Sequence, residues 1–245
     1  MKVAVLGLGE AGGRIAVDLV GAGCDVRGWD PALRLAGVEN ATNAQEAVRD
    51  ADVVLSINAG AVALAAAREV SSALGSAALY ADLNTAAPQV KREIAVALSV
   101  PFADVALVGV VPSSGLATAT LASGDGAERF AELFQPLGMP VEVVGPEPGD
   151  AAALKLLRSV FMKGLAAAAI ESLEAARAAG VDDRLHGDIA AVIGGPLLDR
   201  LLDGSRIHAA RRVDEMQAAA AYLEELGVEP RVARAAMGWL ESLTL

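Results

Sequence analysis

Two groups of residues in this chain have types and spacing suited to chemistry. The first is Gly7-Leu8-Gly9-Glu10-Ala11-Gly12, which follows the apolar run Lys2–Leu6 and opens a helical stretch. In that setting the first glycine permits a tight turn and the second lets the backbone approach a pyrophosphate. The third lets helix and strand pack closely, and the helix N-terminus faces the phosphate charge. Asp30 ends the next strand candidate, at about the 20-residue interval where an acid accepts hydrogen bonds from an adenosine ribose. Together these residues describe a dinucleotide site; a glycine-rich turn without a ligand is the plainer alternative. The carboxylate of Asp30 would repel a 2′-phosphate and so favours NAD over NADP. Arg34 could reach such a phosphate, although a solvated surface arginine is the preferred reading.

The second group lies on a long apolar stretch, Ala151 to Ala169, interrupted by Lys155, Arg158, Ser159 and Lys163. At helical periodicity these side chains fall within an arc of about 140°. A helix that is apolar all round except for one cationic stripe turns that stripe toward a cavity or a bound anion, or toward solvent on a half-exposed helix.

The elements that must position these groups follow from the pattern of the chain. Strand candidates are Lys2–Leu6, Asp25–Trp29, Asp52–Ile57, Ala77–Ala81, Asp104–Val111, Ala117–Ala122 and Val141–Val144. Helix candidates between them are Ala11–Val20, Ala44–Val48, Ala61–Ala73, Ala87–Leu98 and Ala127–Phe134. Such alternation predicts an α/β fold with a doubly wound parallel sheet. After the breaker-rich joint Gly145-Pro146-Glu147-Pro148-Gly149 no strand pattern remains. Asp150–Ala179 reads as one helix stopped by Gly180, followed by helices near Leu185–Ile193, Leu197–Leu202, Arg206–Leu226 and Pro230–Leu243. The expected organisation is a Rossmann-type domain over residues 1–148 and an all-helical domain over 149–245.

Composition narrows the function classes. Residues are 54% hydrophobic but only 3% aromatic, so the core must be built from Ala, Val and Leu. A formal charge of −11 disfavours nucleic acid as a partner. No apolar run is long enough to cross a bilayer, and the short N-terminal apolar run reads as a strand rather than a leader. One cysteine, Cys24, excludes an intrachain disulfide, and the expected compartment is the cytoplasm. His186, His208 and Cys24 form no recognisable metal-ligand set. His208 invites an acid–base role, but a helix-surface histidine is the commoner case.

Nearly the whole chain resembles the β-hydroxyacid dehydrogenase family, which includes 3-hydroxyisobutyrate and 6-phosphogluconate dehydrogenases. The resemblance rests on Gly7 to Gly12, Asp82-Leu83-Asn84-Thr85-Ala86-Ala87-Pro88 and Gly149-Asp150-Ala151-Ala152-Ala153-Leu154-Lys155. It is greatest to the branch whose C-terminal domain is 6-phosphogluconate-dehydrogenase-like without an assigned function. The resemblance implies that Thr85 lies by a nicotinamide, with Asn84 where a serine is usual. Leu8, Glu10, Ala11 and Asn58 join the expected cofactor contacts. Lys155 takes the place of the catalytic lysine, expected to handle a proton while hydride moves to or from NAD or NADP. Burial and Arg158 are expected to lower its pKa.

Three departures bear on the substrate. Arg158 and Ser159 stand where the family has asparagine. Val108, followed by Gly109, stands where it has a carboxylate-binding serine, with Ser113 and Ser114 as possible replacements or merely a turn. The family's second lysine is absent; Arg211 and Arg212 are candidate substitutes, with one or both simply solvated as the alternative. The resemblance also implies a small-molecule substrate and a homodimer formed through the C-terminal helices. The expected activity is a dehydrogenase or reductase acting on a small polar hydroxy or carbonyl compound. An imine reductase on the same fold and a non-catalytic dinucleotide sensor are the alternatives.

Overall fold

The computed structural model describes residues 1–244; Leu245, the end of the expected helical region, lies outside the described residues. The first part runs β1 (Lys2–Leu6), α1 (Glu10–Gly21), β2 (Asp25–Trp29), β3 (Glu39–Asn40), α2 (Ala44–Val48), β4 (Val53–Ser56) and α3 (Ala63–Val70). It continues β5 (Leu79–Asp82), α4 (Pro88–Ala97), β6 (Phe102–Leu107), α5 (Val111–Ser114), β7 (Thr120–Ser123), α6 (Ala127–Phe134) and β8 (Val141–Gly145).

The eight strands form one sheet in the order β3-β2-β1-β4-β5-β6-β7-β8. Every neighbouring pair is parallel except β6 and β7. That antiparallel pair differs from the all-parallel expectation. The run Asp104–Val111 does not continue as strand to its end, because Val111-Pro112 starts the short helix α5, with proline in its first turn, where its missing N–H costs nothing.

Successive β1 residues point to opposite faces, and both faces are covered. Val3 and Val5 pack with Ile15 and Leu19 of α1 and with Phe130 and Phe134 of α6. Ala4 and Leu6 pack with Ala44 and Val48 of α2, Ala63, Ala67 and Val70 of α3, and Ile94 of α4. Burial on both faces is why these strands read as continuous apolar runs rather than alternating ones. The small side chains of β1, α2 and α3 let helices lie close to the sheet, in keeping with the scarcity of aromatics.

The remaining elements are α7 (Asp150–Ala179), α8 (Asp182–Ile193), α9 (Gly195–Ile207), α10 (Ala209–Glu225) and α11 (Arg231–Ser242). The stretch Arg206–Leu226 is therefore not one helix: α9 runs on to Ile207, and the break falls at His208. By compactness the chain divides after Lys155. The second unit has its own core of Leu156, Ala167, Met216, Ala219, Ala236 and Leu240. Among the described residues no helix is long and apolar enough to cross a membrane.

Candidate active site

The carboxyl ends of β1 and β4 flank the point where the strand order reverses, the usual ligand position in an open α/β sheet. Gly7 leaves β1 with φ +96°, and a Cβ there would lie 2.3 Å from Ile57 O. A Cβ on Gly12 would lie 2.0 Å from Gly7 O, whereas one on Gly9 would meet nothing within 4 Å. So Gly7 and Gly12 close the turn, while Gly9 faces open space ahead of α1, where a dinucleotide's phosphates would sit. Glu10 and Ala11 form the first turn of α1, with Glu10 exposed. Gly12→Ala is expected to destabilise the protein by about 1–3 kcal/mol through this overpacking and to abolish dinucleotide binding. A thermal melt paired with a cofactor titration checks both.

Asp30 holds the turn. One carboxylate oxygen accepts the Leu8 N–H at 2.9 Å, and the other accepts those of Ala32 and Leu33 at 2.9 and 3.0 Å. Partial burial pushes its pKa up, but the three amides and Arg34 outweigh that and hold it below the usual carboxylate range. Asp30 is thus ionised at neutral pH. Arg34 is folded back, donating to the carbonyls of Asp30 at 2.6 Å and Leu33 at 2.8 Å.

The ends of β4 and β5 bring up the next group. Ser56 Oγ accepts from Asn58 Nδ2 and from Asn84 Nδ2, both at 3.0 Å. Asn84 also donates to Asp82 Oδ2 at 2.7 Å, and its own buried Oδ1 has no hydrogen-bond partner among the described residues. Thr85 follows, and its Oγ1 receives a hydrogen bond from Lys155 Nζ at 2.7 Å. Gly60 matters here: a Cβ on it would lie 2.1 Å from Thr85 O, so only glycine lets the chain after β4 pass against that carbonyl. The open ground at Gly9, the ionised Asp30 and the orphan acceptor on Asn84 fit a nicotinamide dinucleotide.

Other expected site residues lie in different settings. Val108, after β6, is half-buried, and its N–H donates to Ala119 O at 2.7 Å; Gly109 is exposed. Ser113 and Ser114 are exposed on α5, and Ser113 Oγ turns back on Val110 O at 3.0 Å. Their segment is tied to α1, through Arg14 to Pro112 O at 2.9 Å and the Leu116 N–H to Asp18 at 3.0 Å.

In the second unit Arg158 is exposed, but Ser159 is buried and bonded to Glu215 Oε1. Lys163 reaches the same Glu215 oxygen at 2.9 Å and Ser159 Oγ at 3.1 Å. Burial pushes the Lys163 pKa down, and Glu215 only partly restores it. Arg212 donates to Ser205 Oγ at 2.9 Å. Two members of the cationic stripe therefore meet a carboxylate of α10.

Sequence reasoning missed Glu215, Ser56, Gly60 and a buried lysine, Lys91. The last had a legible signal: Pro88, Lys91 and Ile94 share the buried face of α4 at three-residue spacing. A lysine on an apolar stripe demands buried partners.

Comparison with known proteins bears on the fold and the family. Residues 2–145 match the NAD binding domain of 6-phosphogluconate dehydrogenase, and residues 176–243 match a domain of unknown function, DUF1932. A conserved hypothetical protein from Sinorhizobium meliloti 1021 is 32% identical, with a TM-score of 0.77 over 98% of this chain and 87% of that one. A conserved protein of unknown function, described as structurally similar to 3-hydroxyacid dehydrogenases, is 29% identical with a TM-score of 0.79, covering 99% and 96%. Mycobacterium tuberculosis 3-hydroxyisobutyrate dehydrogenase shares the fold at 24% identity and a TM-score of 0.82, covering 98% and 92%. The glycine turn, the strand order and a family match over more than half of its length agree, and the chain belongs to the family of the 6-phosphogluconate dehydrogenase NAD binding domain.

Proposed function

We propose that this protein is an NAD(P)-dependent dehydrogenase or reductase acting on a small polar hydroxy or carbonyl compound, with Lys155 as its general acid–base. The observation that carries this reading is the 2.7 Å contact between Lys155 Nζ and Thr85 Oγ1, on a segment that also carries the orphan acceptor of Asn84. The dinucleotide, when bound, supplies or takes up the hydride. Lys155 holds the proton at the substrate oxygen: its neutral amine accepts the hydroxyl proton in oxidation, and its ammonium returns it in reduction. Thr85 aims Nζ, so the amine need not search for its position.

Substrate selection falls to Val108 and Gly109 after β6 and to Ser113 and Ser114 of α5. Arg158, an exposed cation of α7, is the proposed partner of an anionic substrate group, since Ser159 and Arg212 are engaged within their own unit. Assembly falls to the helical region from residue 149. There α7 leaves Leu157 and Phe161 exposed one turn apart, and Val192 and Ile207 are exposed on α8 and α9. A homodimer is the expected state, and a monomer by sedimentation at micromolar concentration would refute it.

Asp30 makes NAD the preferred cofactor. Because Asp30 also carries three backbone amides, Asp30→Asn is a cleaner test than removal of the side chain. Fluorescence titration is expected to show tighter NADH than NADPH binding in the wild type. In the variant that preference should narrow by about tenfold, or about 1.4 kcal/mol. Tighter NADPH binding by the wild type would reverse the assignment, and binding of neither would end the dehydrogenase reading. Oxidation of bound NADH by a panel of short keto and aldehyde acids then tests the activity itself.

A further inference from the structure

Four buried polar residues form a row across four adjacent strands. Ser56 of β4 is in register with Asp82 of β5, Asp82 with Asp104 of β6, and Asp104 with Ser123 of β7. All four are wholly inaccessible to solvent. Two carboxylates side by side in a sheet interior repel. Lys91, equally buried on α4, answers both, with Nζ 2.5 Å from Asp82 Oδ1 and 3.1 Å from Asp104 Oδ1. It also donates to Asp82 O at 2.9 Å.

Each carboxylate gives one oxygen to Lys91 and the other to the segment bearing a proposed active-site residue. Asp82 Oδ2 accepts from Asn84, the neighbour of Thr85. Asp104 Oδ2 accepts the Ala152 N–H at 2.9 Å, while Ser123 Oγ accepts the Ala151 N–H at 3.0 Å. Those amides belong to the first turn of α7 and would otherwise lack acceptors; Lys155 stands one turn further on. The remaining first-turn amides of Asp150 and Ala153 bond to Glu147 O and Gly149 O. Gly149 itself packs on Pro88, the first residue of the helix that carries Lys91, so closely that a Cβ would lie 2.9 Å from Pro88 O.

We propose that Lys91, through Asp82 and Asp104, is a positioning residue that sets the Lys155–Thr85 contact from beneath the site. A simple structural ion pair has no need to commit its second carboxylate oxygens to the two segments that meet in that contact. The inference rests on the assignment of Lys155 as the proton-handling group, and its test does not require a known substrate.

The chain has four lysines, Lys2, Lys91, Lys155 and Lys163. Labelling lysine with 13C at the ε-carbon therefore gives a readily assigned spectrum in the full-length protein. The variant K91M/D104N keeps the net charge of the cluster at −1, and the carboxamide that replaces the Asp104 carboxylate retains an oxygen for the Ala152 N–H. The expected result is a folded protein, with unchanged NADH affinity, in which the Lys155 signal is displaced or broadened while those of Lys2 and Lys163 stay put. Turnover should fall, with little change in KM for the cofactor, once a substrate is in hand. A wild-type Lys155 signal in the folded variant would overturn the proposal and leave the cluster a stability element alone. If the double variant does not fold, the same reading on S123A decides, since that change removes the acceptor of the Ala151 N–H and the 3.3 Å hydrogen bond that Ser123 Oγ donates to Asp104 Oδ2, while leaving Lys91 and both carboxylates in place. If instead Lys155→Ala leaves turnover intact, the acid–base reading fails, while the spectrum still reports whether the cluster positions the side chain.

Discussion

Lys155→Ala is expected to lower turnover by about 10²- to 10⁴-fold, the usual contribution of a positioned proton donor or acceptor. Dinucleotide affinity should stay within about twofold of wild type, because on the proposed reading the glycine turn and Asp30 contribute the fixed groups of that site and Lys155 a reacting one. The fall should appear in kcat and kcat/KM together, as for an interaction made only in the transition state. Lys155→Arg should not restore the rate: a guanidinium stays charged at all working pH values and cannot exchange the proton. Steady-state kinetics on the compound found by the NADH panel check this. Full activity in the alanine variant would mean that Lys155 and Thr85 merely pack, and would favour the sensor reading or another proton carrier.

Lys91→Met is expected to cost about 3–5 kcal/mol of stability, because it leaves Asp82 and Asp104 as uncompensated buried charges at adjacent register positions. Methionine matches the lysine stem in length, so the loss measures the charge rather than a cavity. Burial pushes the Lys91 pKa down, but the two carboxylates overcome this and raise it above the ordinary lysine value. A group whose pKa is raised on folding stabilises the folded state fully below its unfolded value, about 10.4, and loses that contribution as pH rises through the folded one. The wild type should therefore lose stability at strongly alkaline pH. Lys91→Met should be weak already at pH 7 and show a smaller alkaline decline. Urea unfolding across pH 7 to 11 distinguishes the two curves, and equal midpoints at pH 7 would refute the prediction.

What could be read from the chain divides by how local its cause is. The turn at Gly7 to Gly12, the strand before it and the acid at Asp30 lie close in sequence and each follows from a local rule. β1, β2, α2, α6 and α7 fall on their expected bounds because periodicity and breakers mark them. β3 is two residues at a sheet edge and carries no periodicity at all. The break at His208 has neither proline nor glycine at the junction, while Gly204, which looks like a breaker, lies inside α9. Lys155 was visible as a polar interruption, but its partner Thr85 is brought to it only by tertiary packing. Glu215, too, looked like an ordinary charge on an amphipathic helix until it met Ser159 and Lys163. Lys91 could have been suspected from its place on the apolar face of α4. Its meaning depends on Asp82 and Asp104 standing side by side, which only the β5–β6 register determines.

Arg34 directs its guanidinium at two carbonyls of its own loop, beside a carboxylate that the backbone keeps ionised. A change of cofactor would thus need no new cation at this position. Loss of the charge at residue 30 would remove the repulsion of a 2′-phosphate, and Arg34 would have only to turn from those two carbonyls to meet one. On the proposed role of Asp30, the two cofactor specificities are separated in evolutionary terms by a subtraction rather than an invention, a short path by which related sequences can diverge in cofactor while keeping the same fold.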